Sequence, residues 1–238
     1  MTVLVVTGTG TGVGKTVVTA AVATLARDRG IDVAVVKAAQ TGVEPGEPGD
    51  LDHVRALSGV EELYEYARFP AALSPAAAAR LHRRTPVELG DVARHVGELA
   101  ERHRLVLVEG AGGLLVRYDD EGSTVADLAR TLAAPVLLVS EAGLGSLNTT
   151  ALTLEALANR GLELAGLVIG SWPASPDLAC RSNIVDMEML AARPLAGAVP
   201  AGAGHTDAAA FRATARACLA PALGGTFNAH DFRESHRP

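Results

Sequence analysis

The stretch Gly8-Thr9-Gly10-Thr11-Gly12-Val13-Gly14-Lys15-Thr16 has the residue types and spacing needed to hold a phosphate. Glycines let a loop take positive φ and bring backbone N–H groups close to an anion. A helix starting at the loop's end adds unpaired N–H donors and the positive end of its dipole. Lys15 supplies a mobile positive charge for the outer phosphates, and the Thr16 hydroxyl is placed to ligate Mg²⁺. The expected cradle is therefore Gly12, Val13, Gly14, Lys15, Thr16 and Val17. The common P-loop pattern has glycine six residues before the lysine, where Thr9 stands here with Gly8 one step earlier. The plain alternative is a glycine-rich turn that only closes a strand–helix corner. Gly-Lys-Thr between an apolar run and a helix argues against it and predicts a nucleotide site.

Further candidates follow the other apolar runs. In an open parallel sheet, ligands bind outside the carboxyl ends of the strands. Val33–Val36 ends in Lys37, with Thr41 shortly after, and Leu105–Val108 ends in Glu109-Gly110-Ala111-Gly112. Val136–Val139 precedes Gly145, Leu147 and Asn148, Leu164–Ile169 precedes Gly170-Ser171, and Leu195–Val199 precedes Pro200-Ala201-Gly202. Glu109 stands where P-loop proteins keep an acidic residue for Mg²⁺ or water. Asp50 could complete an oxygen-rich shell with Thr16. It could equally cap a helix at Asp50-Leu-Asp-His, and Asp52 competes with it as a ligand. Lys37 is either an exposed lysine ending a strand or a second cation for a transferring phosphoryl group. Thr41 is either a site residue or a turn residue before Gly42.

The elements that must position these groups alternate. Val3–Val6 is a strand buried on both faces, and Lys15 to about Arg29 is a helix ended by Gly30. The remaining runs read as strands separated by helices, including Pro86 to about Arg102, whose His95 and His103 read as solvated. The expected fold is α/β: a three-layer P-loop NTPase-like fold, mainly parallel, with helices on both sheet faces. One domain over 1–224 is expected, with 225–238 a flexible tail.

Composition narrows the function. The chain has 238 residues, 48% apolar but only 3% aromatic, and a formal net charge of −6 that argues against a nucleic-acid surface. Cys180 and Cys218 are isolated, which fits a reduced, cytoplasmic setting. The start of the chain leaves no room for a signal peptide, and no apolar run reaches the roughly 20 residues of a membrane helix. The histidines do not pair at zinc-ligand spacings.

These blocks together resemble dethiobiotin synthetase. The family's loop is similar to Gly8-Thr9-x-Thr11-x-x-Gly14-Lys15-Thr16, often with an acidic residue where Gly10 stands. Its Lys-Pro-x-x-Thr-Gly block resembles Lys37–Gly42, and its Glu-Gly-Ala-Gly-Gly block is matched in full by Glu109–Gly113. Leu144–Asn148 and the later Leu-Thr-Leu-Glu-Ala-Leu resemble the helix at its substrate end. The resemblance runs in order from Met1 to about Gly204 and thins afterwards.

The resemblance implies ATP- and Mg²⁺-dependent closure of 7,8-diaminononanoate and CO₂ to the cyclic urea dethiobiotin, through a carbamate and its anhydride with phosphate. It implies Lys37 as the catalytic lysine with Lys15 assisting, and Thr16, Asp50 and Glu109 as Mg²⁺ ligands. Thr41, Gly145, Leu147 and Asn148 would contact substrate, and Gly12–Val17, Gly110–Gly112, Gly170-Ser171 and Pro200–Gly202 the nucleotide. It also implies a homodimer whose partner completes the substrate site. Two departures stand out: Ala38 replaces the family's proline, and Gly170 stands where an asparagine usually reads adenine. Glycine offers no side-chain hydrogen bond, so other nucleoside triphosphates are expected to serve too. Two rival readings share the fold. A chromosome-partitioning switch ATPase would carry an extra lysine early in the loop, and a cobalamin-pathway amidase would need a glutamine-hydrolysing domain.

Overall fold

The computed structural model describes residues 2–238; Met1 lies outside the described residues. The apolar run before the glycine loop forms β1 (Thr2–Gly8), and the loop leads into α1 (Lys15–Asp28). Then come β2 (Val33–Lys37), β3 (Gln40–Thr41), α2 (Asp50–Ser58), β4 (Leu63–Glu65), β5 (Arg68–Phe69), α3 (Pro75–Leu81) and α4 (Leu89–Arg102). The long strand β6 (Leu105–Gly113) is followed by α5 (Val125–Thr131), β7 (Val136–Ser140) and α6 (Ser146–Asn159). The chain closes with β8 (Leu164–Trp172), α7 (Leu178–Ala191), β9 (Gly197–Pro200), α8 (Ala208–Cys218) and α9 (Ala229–Ser235).

Seven strands make one sheet in the order β4-β2-β6-β1-β7-β8-β9, and every pairing between them is parallel. β3 and β5 form a separate parallel pair. The central strands read as unbroken Val/Leu runs because both of their faces are covered. One face packs against α1, α2 and α8 through Val18, Val22, Leu25, Val54 and Phe211. The other packs against the remaining helices through Val92, Val96, Leu128, Ile184 and Met187. This is the expected three-layer α/β architecture. Among the described residues, no helix is long and apolar enough to cross a membrane.

One placement decides the site. β6 lies between β1 and β2, with Val6 and Lys37 both in register with Glu109. Residues opposite one another in adjacent parallel strands point to the same face. The end of β6 therefore sits between the glycine loop and Lys37.

Five sequence expectations need correction. The strands expected to end at Val108 and Ile169 run further, β6 through Glu109–Gly113 and β8 through Gly170–Trp172. Each extension is paired past an irregularity in register, Gly8 with Gly113 and Trp172 with Pro200. His95 is not simply solvated: it hydrogen-bonds Tyr66 Oη at 2.5 Å and packs edge-on to Tyr64. His103 faces Asp32 at 2.9 Å with its side chain only 10% exposed. The segment 225–238, expected to be a flexible tail, contains α9, whose Phe232 packs on Trp172 and whose Arg233 pairs with Glu188. Aromatic burial supplies the ordering energy that polar composition alone did not suggest.

Candidate active site

The glycine loop is shaped by backbone angles that side chains resist. Gly12 has φ 78° and Gly14 φ 98°, both in the left-handed region. Gly14 serves as the N-cap of α1, so the helix begins at Lys15 with no side-chain cap over its first N–H groups. Those donors remain directed at the loop's concavity. Val13 anchors the loop from beneath, buried in the core with α1.

At the end of the loop, four side chains converge. Lys37 Nζ donates to Glu109 Oε1 at 2.6 Å and to Asp50 Oδ2 at 2.5 Å. Thr16 Oγ1 donates to the same Glu109 Oε1 at 2.9 Å. Lys37 is 3% exposed and Glu109 fully buried, so the apolar strands hold an ion pair well away from water. Burial would lower the Lys37 pKa, but Glu109 and Asp50 outweigh it and hold the ammonium above its ordinary value. Asp50 is half-buried, which opposes ionisation, yet Lys37 beside it keeps its carboxyl below the usual value. Lys15 goes the other way. Burial first, then repulsion from Lys37, lower its pKa to about 8. Its ammonium donates to Gly10 O at 2.7 Å.

Helix geometry sends Asp50 and Asp52 to different places. Gly49 is the N-cap of α2, and the Asp52 carboxylate accepts its N–H at 2.8 Å. Asp52 then faces Arg55 and Arg68. Asp50 is one residue into the helix and turns inward to Lys37. Its N–H is held by Gln40 Oε1 at 2.9 Å, a contact that sequence reading missed although Gln40 lies inside the Lys37–Gly42 block.

A cavity of about 630 Å³ opens over this cluster. Gly12, Gly14, Lys15, Thr16, Val17, Lys37, Thr41, Asp50, Glu109, Ala111 and Gly112 line it, as expected. A second cavity of about 330 Å³ shares Gly12, Gly14, Thr16, Val17 and Asp50, and adds Gly170, Ser171, Pro200 and Gly202. Three expected nucleotide residues line neither. The Val13 side chain lies under the loop, Gly110 faces Val125, and the Ala201 N–H is taken by Trp172 O at 2.7 Å. Sequence reading missed Leu73 and Ser74, brought over the first cavity by the chain before α3, and His53 and His205 at the second. Nothing in their sequence neighbourhood signals this, because tertiary folding alone puts them there.

The expected substrate residues divide. Thr41 lies with Lys37, whereas Leu147 and Asn148 line a separate surface depression with Met189 and Leu190. Gly145 lines neither cavity and caps α6 at φ 92°. The helix therefore starts at Ser146, and Asn148 sits within its first turn.

The donor set fits a magnesium ion. Two carboxylates and a hydroxyl converge, and Glu109 Oε2 is buried with no hydrogen-bond partner. Mg²⁺ commonly takes one or two carboxylates and completes its shell with phosphate oxygens and water.

Gly170 packs against the glycine loop. A Cβ there would stand 2.0 Å from Val13 O and 2.5 Å from Val139 Cγ1. Gly14 is hemmed in reciprocally, since its Cβ would stand 2.4 Å from Gly170 O. Gly170→Ala must push the loop outward, and overpacking of this size should weaken nucleotide binding about tenfold or more. Calorimetric titration checks this, with an unchanged far-UV spectrum as the control for folding.

Comparison with known proteins places these features in a family. A family model described as an AAA domain matches residues 2–208. The chain is 66% identical to the ATP-dependent dethiobiotin synthetase BioD of Frankia casuarinae over 233 residues, covering 98% of each chain. Its identity to the protein of the same name from Streptomyces coelicolor is 59% over 238 residues, the full length of both. Among solved structures, the septum site-determining protein MinD of Pyrococcus horikoshii, complexed with Mg-ADP, superposes with a TM-score of 0.54 at 17% identity. That match covers 90% of this chain and 94% of the other and supports the fold alone. The chain belongs to the ATP-dependent dethiobiotin synthetase family.

Proposed function

We propose that this chain catalyses the ATP- and Mg²⁺-dependent closure of 7,8-diaminononanoate and CO₂ to dethiobiotin, in the biosynthesis of biotin. The observation that carries the reading is the convergence of Lys37, Glu109, Asp50 and Thr16 beside a phosphate-binding loop, under one cavity. One amine of the diamine takes up CO₂, forming a carbamate and releasing a proton. A carbamate oxygen attacks the γ-phosphorus and ADP departs, giving a carbamic–phosphoric anhydride. The second amine attacks the carbonyl carbon, phosphate leaves and the ring closes.

Each residue acts through position and charge. Lys37, held charged by its two carboxylates, stabilises the carbamate and the charge building on the transferring phosphoryl group. Lys15 assists from the loop side, leaving Gly10 O for the outer phosphates. Thr16, Asp50 and Glu109 hold Mg²⁺, which when bound neutralises phosphate charge. Thr41 contacts the diamine or its carbamate. The loop from Gly12 to Val17, with Ala111 and Gly112, cradles the phosphates. Gly170, Ser171, Pro200 and Gly202 take the nucleoside end. Because Gly170 offers the base no side chain, other nucleoside triphosphates serve beside ATP.

A homodimer is part of this reading. Leu147 and Asn148 lie apart from Lys37 on one chain, and the surface around them exposes Leu144, Leu152, Met189 and Leu190. An apolar patch of this kind favours a second copy, which would bring its own Gly145–Asn148 segment to the neighbour's Lys37. The buried, unpaired cysteines Cys180 and Cys218 suit a reducing, cytoplasmic setting.

Three outcomes are expected. Phosphate release with Mg²⁺, bicarbonate and either ATP or CTP should require the diamine and vanish in Lys37→Ala. That variant leaves Glu109 buried without its partner, which should also cost about 3–5 kcal/mol of stability in a denaturant titration. Release indifferent to the diamine would instead favour a switch ATPase.

The pH dependence follows from Lys15, whose pKa near 8 means that its charge is lost as pH rises through that value. kcat/KM for the nucleotide should therefore fall above about pH 8, while kcat, measured with phosphate bound beside the ammonium, should hold to higher pH.

Mixing Lys37→Ala with Asn148→Ala protein should regain up to about a quarter of wild-type activity, because half the dimers then carry one intact site. No recovery would place Asn148 outside a shared site.

A further inference from the structure

The carboxyl-terminal helix α9 lies on the sheet face opposite α1, yet it touches a residue that joins both walls of the second cavity. Trp172, the only tryptophan in the sequence, ends β8 directly after Gly170 and Ser171. Its backbone pairs with Pro200, and its carbonyl accepts the Ala201 N–H at 2.7 Å. The two segments lining the nucleoside end of the site are thus tied together at Trp172.

The indole is held from the tail. Phe232 meets it edge-on at a centroid distance of 4.9 Å, and His236 does so at 5.0 Å. Phe227 packs on Phe232 at 5.2 Å and is itself buried. Arg233 fixes α9 to α7 through Glu188 at 2.7 Å, and backbone bonds from Thr226 to Arg216 and from Phe227 to Leu219 fix its approach to α8. In a chain with only 3% aromatic residues, three of them, Trp172, Phe227 and Phe232, meet here.

We infer that α9 is a strap that positions the nucleoside-binding edge: Phe232 and His236 hold the Trp172 ring, and Trp172 holds Gly170-Ser171 in register with Pro200–Gly202. Phe232 and His236 are positioning residues, since neither lines the cavities. Phosphate and diamine contacts lie on the other side of the glycine loop, at Lys37 and Thr41. Loosening the strap should therefore be felt by nucleotide affinity and not by the diamine. The inference rests on the reading of these cavities as a nucleotide site.

The test uses full-length protein carrying Phe232→Ala, Phe232→Leu or His236→Ala. Mg-ATP binding is measured by calorimetry, the emission of the single tryptophan is recorded, and steady-state kinetics follow. In Phe232→Ala, nucleotide affinity should weaken about threefold to tenfold, the span expected from losing one or two aromatic pairs. KM for the nucleotide should rise equally, while kcat and the diamine KM change less than about twofold. Emission should shift to the red, and Phe232→Leu, which refills the space, should recover most of the affinity. His236→Ala, at the chain's periphery, should show a smaller loss of the same kind.

A red-shifted Phe232→Ala protein that binds Mg-ATP like wild type would overturn the inference. Equal losses in kcat, diamine KM and nucleotide affinity would do so too, as the mark of general loosening. Should wild-type protein bind no nucleotide, the functional reading fails, and the strap with it. Normal wild-type binding unaffected by the variants sinks the strap alone.

Discussion

The ion pair between Lys37 and Glu109 is the constraint on which the site depends. A fully buried carboxylate is tolerated only when paired and hydrogen-bonded. Here Glu109 has Lys37 at 2.6 Å and Thr16 at 2.9 Å on one oxygen. Its second oxygen has no partner, so the arrangement balances its charges without meeting every hydrogen-bonding need. A more stable core would place apolar residues here. The residual polarity is what a phosphate-handling, metal-binding site needs, and β6 brings it to the end of an otherwise apolar sheet.

The same geometry separates two neighbouring lysines by function. Lys37 sits between two carboxylates and is held charged, whereas Lys15 shares its burial without a carboxylate in contact and is eased toward neutrality. One is a fixed charge and the other a responsive one. Anionic phosphate near Lys15 would restore its charge, which couples binding of the nucleotide to protonation of the loop.

Close backbone approach governs the other side of the site. A Cβ on Gly14 would meet Gly170 O and a Cβ on Gly170 would meet Val13 O, so only glycines let β8 abut the glycine loop. Beside that contact, the second cavity is lined by Gly12, Gly14, Gly170, Ser171, Pro200 and Gly202, with His53 and His205. If α9 acts as the proposed strap, the aromatic packing behind Trp172 holds these backbones from the opposite face of the sheet.

Much of this was legible in the sequence. Apolar strand runs, the Gly14-Lys15-Thr16 loop end and polar residues after each strand follow local rules, and the structure bears out the α/β layers they predict. Asp50 could not be separated from Asp52 in sequence, because either can begin a helix. Only the observed N-cap at Gly49 turns Asp50 inward and leaves Asp52 to cap. The tail was misread because its few aromatic residues find their partner at Trp172, distant in the chain. The sequence by itself determined which residues carry charge, which backbones can bend and which runs must be buried, since those depend on near neighbours. Tertiary structure alone decided that β6 enters between β1 and β2. That placement sets Glu109 beside Lys37, and it arises from sheet pairing across some seventy residues rather than from any local preference.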